Sequence, residues 1–198
     1  DDNITPIVSG SGNIYLAIYE IKSNNTGEIK NFSISNIVDL AGNIGSTVTS
    51  LTNGTTILVD VTAPLLNIVS ISSNNTIPSL AKEGDIIALT INATENITTP
   101  TVTFKIDDKD IEPYTSGSGN SYLSTYTVTN GENGLINSLS ISNFSDVSGN
   151  QGFTVNSFTD SSLVTVDTTS PTINILSISS SNNTSSLAKE DDIITLTL

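Results

Sequence analysis

The six residues VDVTAP at positions 59–64 return as VDTTSP at positions 166–171, which is 107 residues further along the chain. The sequence LAKE at 80–83 returns at 187–190 with the same spacing and no gap. Solenoid repeats are much shorter, about 20–50 residues, whereas a small β-sandwich domain has about 100. The spacing therefore predicts whole domains in tandem rather than a stack of short repeats.

The repeat divides the chain into three parts. Residues 1–64 are predicted to be the C-terminal part of one repeat, residues 65–171 a complete repeat, and residues 172–198 the N-terminal strands of a third. Because position 1 is Asp rather than Met, we expect the chain to be part of a longer protein.

Apolar and polar residues alternate with a period of two in the complete repeat, which is typical of β-strands. Gly-, Asn- and Ser-rich turn signals separate these runs, among them GSGN at 117–120 and NGENG at 130–134. About seven short strands in about 100 residues predict an all-β fold of tandem Ig-like β-sandwich domains. The predicted strands are 66–71, where imperfect alternation indicates a bulge or sheet switch, then 86–91, 101–106, 122–128, 139–141 and 164–166.

Four short motifs occur in a fixed order: VDxTxP at the repeat boundary, LAKEGD at 80–85, ATE at 93–95, and DxxGN at 146–150. In these motifs the chain resembles the Ig-like repeats of giant bacterial adhesins and of prokaryotic surface-layer (S-layer) proteins. The resemblance implies an extracellular, cell-surface protein with a load-bearing or lattice-forming role and no catalysis. It also implies calcium at the domain junctions, as in several members of this family.

The composition restricts the possible chemistry. Twenty acidic residues against six lysines give a net charge of −14, which opposes binding to nucleic acid or to anionic membrane surfaces and favours divalent cations. With no His and no Cys, the chain has no Ser-His-Asp triad, no thiolate nucleophile and no zinc ligands of those types. No apolar run is long enough to span a bilayer, so we expect no membrane insertion in this segment. We interpret the chain as non-catalytic.

Calcium at the domain junctions is the sharpest site hypothesis. Asp60 ends the last strand of the first part, and the loops of the complete repeat that should face it carry Glu95, Asp146 and Asn150. Three carboxylates and an amide oxygen converging at one place suit Ca²⁺, which accepts six to eight oxygen ligands in flexible geometry. Asp167 should form the same site with loops beyond residue 198. The alternative is that these residues make only Asx-turns and loop hydrogen bonds.

Of two covalent modifications known in surface proteins, the sequence is compatible with glycosylation and disfavours an isopeptide bond. Of the Asn-x-Ser/Thr sequons, those at Asn24, Asn53 and Asn74 lie in predicted loops and are the preferred glycosylation candidates. An intramolecular isopeptide bond needs a buried lysine beside a carboxylic acid. Lys105 alternates onto the outward face of its strand, which disfavours that chemistry.

The combined prediction is a structural repeat array of an extracellular surface layer, filament or stalk, in which short proline-containing junctions give stiffness. Its partners would be neighbouring repeats and other copies of the chain, with head-to-tail strand complementation as one possible mode. Two alternatives stay open: an adhesive module that binds glycan or protein ligands, and the accessory region of a larger secreted enzyme. Tyr15, Tyr19, Tyr122 and Tyr126 are predicted to pack in cores, which leaves only Tyr114 free for a ligand.

Overall fold

The computed structural model describes residues 4–29, 31–174 and 177–197. Over these residues the chain is all-β, with sixteen strands and no helix, in several sheets consistent with a β-sandwich. The strands are β1 (Ile7–Ser11), β2 (Ile14–Ile18), β3 (Gly27–Ile29), β4 (Ile57–Val59), β5 (Leu66–Ser73), β6 (Leu80–Ala81), β7 (Ile86–Ala93), β8 (Thr101–Ile106), β9 (Lys109–Ile111), β10 (Tyr114–Ser118), β11 (Ser121–Thr127), β12 (Asn133–Ile136), β13 (Leu139–Ser142), β14 (Val164–Asp167), β15 (Ser177–Ser180) and β16 (Ile194–Thr197).

Strands β5 to β14 form three sheets that share one core. The largest has the order β10-β11-β7-β5, and the other two have the orders β13-β8-β9 and β12-β14-β6. Alternation explains which side chains face inward: along β7, Ile87, Leu89 and Ile91 are fully buried while the residues between them reach solvent. Every buried hydrophobic residue of the core cluster lies between Val69 and Val166.

The strand pairs outside this core have the same registers as pairs within it. Ile7 pairs with Ile18 as Tyr114 pairs with Thr125, and both members of the second pair are 107 positions later. The same shift relates the pairing of β3 with β4 to that of β12 with β14, and the pairing of β5 with β7 to that of β15 with β16. Similar local sequences therefore adopt the same strand registers.

The bulge predicted in the opening strand is confirmed. The register of β5 against β7 shifts between Leu66 and Ile68, where the sequence alternation is imperfect. The outer edge of β5 is covered by a loop: the hydroxyl of Thr159 accepts from the Val69 N–H at 2.9 Å, and the Ser162 hydroxyl accepts from the Ile71 N–H at 2.9 Å. These hydroxyls replace a neighbouring strand and protect the edge from pairing with another chain.

The structure corrects three details of the sequence interpretation. Gly117 and Ser118 belong to β10, so the turn predicted at 117–120 is only Gly119-Asn120. Four short strands are not predicted by the sequence pattern (β6, β9, β10 and β12), because two to five residues carry too little alternation to be recognised. Tyr15, which is predicted to lie in a core, is 65% exposed, whereas its counterpart Tyr122, on β11 beside Ile91 of β7, is 4% exposed.

Gly117 lies opposite Tyr122 where β10 pairs with β11, and replacing it by Ala should destabilise the chain by about 2–4 kcal/mol. An added Cβ would lie 2.4 Å from the Ser121 carbonyl oxygen and 2.7 Å from the Tyr122 Cα, at a φ of 143° that L-residues rarely adopt. Gly84→Ala is the matched control: it has a φ of 83° but no atom within 4 Å, so it should cost only about 1 kcal/mol. Urea unfolding of both variants measures the difference; equal losses would show that the close approach carries no cost.

Candidate metal centre at the junction

Asp60 lies directly after β4 and begins the connection to the next strand. Its Oδ1 accepts a hydrogen bond from the Thr62 N–H at 2.9 Å, which is an Asx-turn. The connection ends at Pro64, which is fully buried. Both backbone groups of Leu65 are hydrogen-bonded to Thr94. The Leu65 N–H donates to the Thr94 hydroxyl at 3.2 Å, and the Thr94 N–H donates to the Leu65 carbonyl at 2.8 Å. The short linker is therefore fixed to the loop after β7.

Asp146 is a carboxylate with only 3% of its surface exposed, in the loop that follows β13. Its Oδ1 accepts from the N–H groups of Ser148 and Asn150, both at 2.8 Å, and its Oδ2 accepts from the Asn150 side-chain NH2 at 2.7 Å. Burial acts to raise the pKa of Asp146, but these hydrogen bonds outweigh it, so its pKa lies below the usual value. Asp146 is therefore an anion over the whole neutral range.

The structure brings Asp60, Glu95 and Asp146 together. One carboxylate oxygen from each lies within 4.8 Å of the others, and Asp60 and Glu95 are half-buried. Burial raises the pKa of Glu95, and repulsion from the carboxylates of Asp146 and Asp60 raises it further. Among the described residues, no lysine ion pair involves any of the three. Three acidic side chains thus face one another with no lysine of the described chain paired to them.

The donor set suits a hard cation. Carboxylate oxygens from three separate chain segments are ligands that Ca²⁺ prefers. A cation would also remove the repulsion that raises the Glu95 pKa. The residues present therefore fit calcium, and Asp60, Glu95 and Asp146 would hold it.

Asn150, predicted as an oxygen ligand, points its side-chain nitrogen at two acceptors in this structure. Its side-chain NH2 donates to the Asp60 carbonyl at 3.0 Å and to the Asp146 Oδ2 at 2.7 Å. Because both neighbours are acceptors, the nitrogen rather than the oxygen must face them. Asn150 instead links the linker to the loop of Asp146, and so positions two of the three carboxylates.

The remaining predicted ligand, Asp167, is not part of this cluster. It is exposed, and its Oδ1 accepts from the Thr169 N–H at 2.9 Å, the same Asx-turn that Asp60 makes. The loop at Asp39 likewise repeats the Asp146 loop, with Asp39 accepting from the Asn43 N–H and side chain, both at 2.8 Å. The Asx-turn of the linker and the loop of the Asp146 type thus each form from local sequence. Only around Asp60 does the described chain bring a turn and a loop of these two kinds together.

The three preferred glycosylation candidates are all exposed and lie in turns or bends, as predicted. Asn53 Oδ1 accepts from the Thr55 N–H at 3.2 Å, and Asn74 Oδ1 accepts from the Ile86 N–H at 2.7 Å. Asn24 precedes Asn25, whose Oδ1 accepts from the Tyr19 hydroxyl. Lys105 is exposed and pairs with Asp110 at 3.3 Å, which confirms its predicted outward orientation.

Sequence reasoning missed Glu132, a carboxylate with only 7% of its surface exposed, at the opposite end of the core from Asp146. It accepts from the Tyr126 hydroxyl at 2.6 Å, the Thr129 N–H at 2.8 Å and Lys109 Nζ at 2.9 Å. In the structure, 107 residues earlier, Asn25 accepts from the Tyr19 hydroxyl and from the Lys22 N–H in the same way. A neutral residue at the equivalent position identifies Glu132 as a structural acceptor.

Glu132 should make stability depend on pH on the acid side. Burial acts to raise the pKa of Glu132, but its hydrogen bonds with Tyr126, Thr129 and Lys109 outweigh this and lower it. A lowered folded-state pKa gives stability that is present above the unfolded value of about 4.3 and is lost as pH falls through the folded value. Glu132→Asn, which copies Asn25, should therefore flatten the loss of stability as the pH falls below about 4.3. Urea unfolding at several pH values tests this; an unchanged slope would contradict it.

No family model, curated protein or solved structure matches this chain. Within the described ranges, no helix has the length and apolar character needed to cross a bilayer.

Proposed function

We propose that the chain is a non-catalytic structural segment of an extracellular, cell-surface protein, built from tandem Ig-like domains that repeat every 107 residues. The observation that carries the proposal is the fixed junction between residues 60 and 65. Asn150 holds the Asp60 carbonyl, Thr94 holds Leu65 on both sides, and Pro64 is buried. A linker held in this way resists bending, whereas a Gly/Ser linker would not.

Two further observations support the domain division at 64/65 and 171/172. The core cluster lies entirely between Val69 and Val166. The strand pairs on either side of it repeat its registers at a shift of 107 positions, as expected if each belongs to another copy of the same domain. Adjacent domains and other copies of the chain are then the natural partners.

We also propose that Ca²⁺ binds at the junction through Asp60, Glu95 and Asp146. Asp60 comes from the segment before the linker, and the other two residues come from loops after it. A cation bound by both sides would tie the preceding strands to the following domain and add stiffness to the array. At the next junction, Asp167 would be the calcium ligand equivalent to Asp60.

Single-molecule stretching of the 198-residue chain between its ends tests the mechanical role. The expected trace has one main unfolding event that releases roughly 107 residues, or about 350 Å of extended chain, because one complete core resists force. The event should occur at higher force in calcium than in a chelator. A trace without a discrete event, or one that releases the whole chain at once, would contradict the proposal of separate load-bearing domains.

An adhesive role has one specific observation in its favour. Tyr114 on the edge strand β10 is 75% exposed and could stack on a sugar ring. Binding to a panel of glycans, lost in Tyr114→Ala, would favour adhesion; a chain that stretches as expected and binds no glycan favours the structural role.

A further inference from the structure

Asn-Gly dipeptides are the sequence positions where an asparagine most readily loses its side-chain amide. The backbone nitrogen of the following residue attacks the side-chain carbonyl, and a glycine offers no side chain to hinder it. The chain has three such pairs, at 53–54, 130–131 and 133–134. Since they share the same dipeptide, differences in reactivity between them must come from the fold.

The pair at 130–131 is restrained on both reacting groups. The Asn130 side-chain NH2 donates to Glu83 Oε2 at 2.8 Å, and the attacking group, the Gly131 N–H, donates to the Thr168 hydroxyl at 3.1 Å. Attack requires both bonds to open, so the native structure opposes it.

The pair at 133–134 is held more tightly still. Asn133 Oδ1 accepts from the Thr168 N–H at 2.8 Å, and Gly134 lies in β12 opposite Val166. Gly134 also packs so closely that a Cβ there would lie 2.8 Å from the Asp107 nitrogen. Its backbone has no room to rotate toward the side chain of Asn133.

The pair at 53–54 differs from the other two because its glycine, which supplies the attacking nitrogen, is not restrained. Asn53 is exposed, and its only side-chain hydrogen bond in the described chain is the one its Oδ1 accepts from Thr55. Gly54 has a φ of 63°, and a Cβ at this position would have no heavy atom within 4 Å. Among the described residues, the Gly54 N–H donates to no group. We propose that Asn53 is a site of spontaneous deamidation, selected by the fold from the three Asn-Gly pairs.

The reaction balances with water as the only co-reactant. The Gly54 nitrogen, having lost its proton to solvent, bonds to the Asn53 Cγ, and the bond from Cγ to the side-chain nitrogen breaks to release ammonia. Water then opens the resulting five-membered imide at either carbonyl, giving Asp or isoaspartate. The net change is the gain of one water and the loss of one ammonia, with no oxidation or reduction.

The fold already contains the product at the equivalent position. Residue 160, which is 107 positions after Asn53, is Asp, and its Oδ1 accepts from the Ser162 N–H at 2.9 Å as Asn53 accepts from Thr55. The Asp product is therefore compatible with the turn, whereas isoaspartate lengthens the backbone and should break it. Glycosylation would use the same side-chain nitrogen of Asn53, so a glycan there and deamidation exclude each other.

The test is peptide mapping by mass spectrometry of the unglycosylated chain after incubation at mildly alkaline pH. In the native chain, conversion at 53 should exceed conversion at 130 and 133 by about tenfold or more, because those sites react only after local opening. In the urea-unfolded chain the three pairs should react at similar rates, which shows that the sequence itself does not select Asn53.

Two results would overturn the proposal: conversion at 130 or 133 as fast as at 53 in the native chain, or no native conversion at 53 while the unfolded chain reacts. Asn53→Asp serves as the reference product and should show no mass change at this peptide. Its thermal unfolding should match that of the unmodified chain, since Asp160 makes the same turn.

Discussion

Phe104→Ala is expected to lower the free energy of unfolding by about 3–5 kcal/mol, the usual cost of removing a large buried aromatic side chain. Phe104 is 2% exposed on β8 and packs edge-on against Tyr126, with ring centroids 6.1 Å apart at 83°. The truncation loses this contact and leaves a cavity in the core between the sheets. Chemical unfolding followed by far-UV circular dichroism measures the loss.

The chain offers a matched control in Phe153. Its side chain is 76% exposed, so Phe153→Ala should change stability by less than about 0.5 kcal/mol. The pair tests whether the closed core between Val69 and Val166 carries the stability of the chain. Similar effects of the two substitutions would mean that the sheets do not close on Phe104 as described.

Calcium is expected to raise the melting temperature of the chain by about 10–20 °C when present at about 100 times its dissociation constant. Binding to the folded state alone at that ratio stabilises by about 2.7 kcal/mol, and 1 kcal/mol corresponds to about 4–8 °C in a domain of this size. Magnesium should do less, because it demands regular octahedral geometry and keeps its waters. Thermal scans with calcium, magnesium and a chelator provide the comparison.

Glu95→Gln is the most informative variant of the junction, because no hydrogen bond to the Glu95 side chain is found in the described part of the chain. Without calcium it should stabilise slightly, by about 0.5 kcal/mol, since it removes repulsion with Asp60 and Asp146. With calcium it should lose most of the gain in melting temperature. A variant that responds to calcium as the parent does would remove Glu95 from the site.

Glu112→Gln is the control for this series. It makes the same chemical change at an exposed residue on the loop before β10, away from the three carboxylates. Its calcium response should equal that of the parent chain. If both variants lose the response, calcium acts through the overall negative charge rather than through the junction.

The sequence was informative about strands because burial on one face imposes a period of two. Alternation alone assigns Ile87, Leu89 and Ile91 to a core, and they are fully buried. The proximity of the three carboxylates could also be predicted, because the spacing of the sequence motifs predicts which loops lie near residue 60. Asp60, Glu95 and Asp146 do lie together.

Sequence could not assign the short strands or the orientation of Asn150. β6 has two residues and exists only because β14 lies parallel beside it, a pairing between residues far apart in the chain. The side-chain nitrogen of Asn150 faces the Asp60 carbonyl and the Asp146 carboxylate because the fold brings these two acceptors together. Glu132 was missed for the same reason, since its three donors come from different strands and turns.

Alternation, turn residues and the 107-residue repeat are local or periodic properties, so the sequence alone determined the all-β class, the strand faces and the turns and loops of each junction. The tertiary structure decided which of these turns and loops meet, which polar groups are buried with partners, and which of three identical Asn-Gly pairs has an unrestrained glycine. These outcomes depend on distances between groups remote in sequence, and such distances exist only once the sheets have packed.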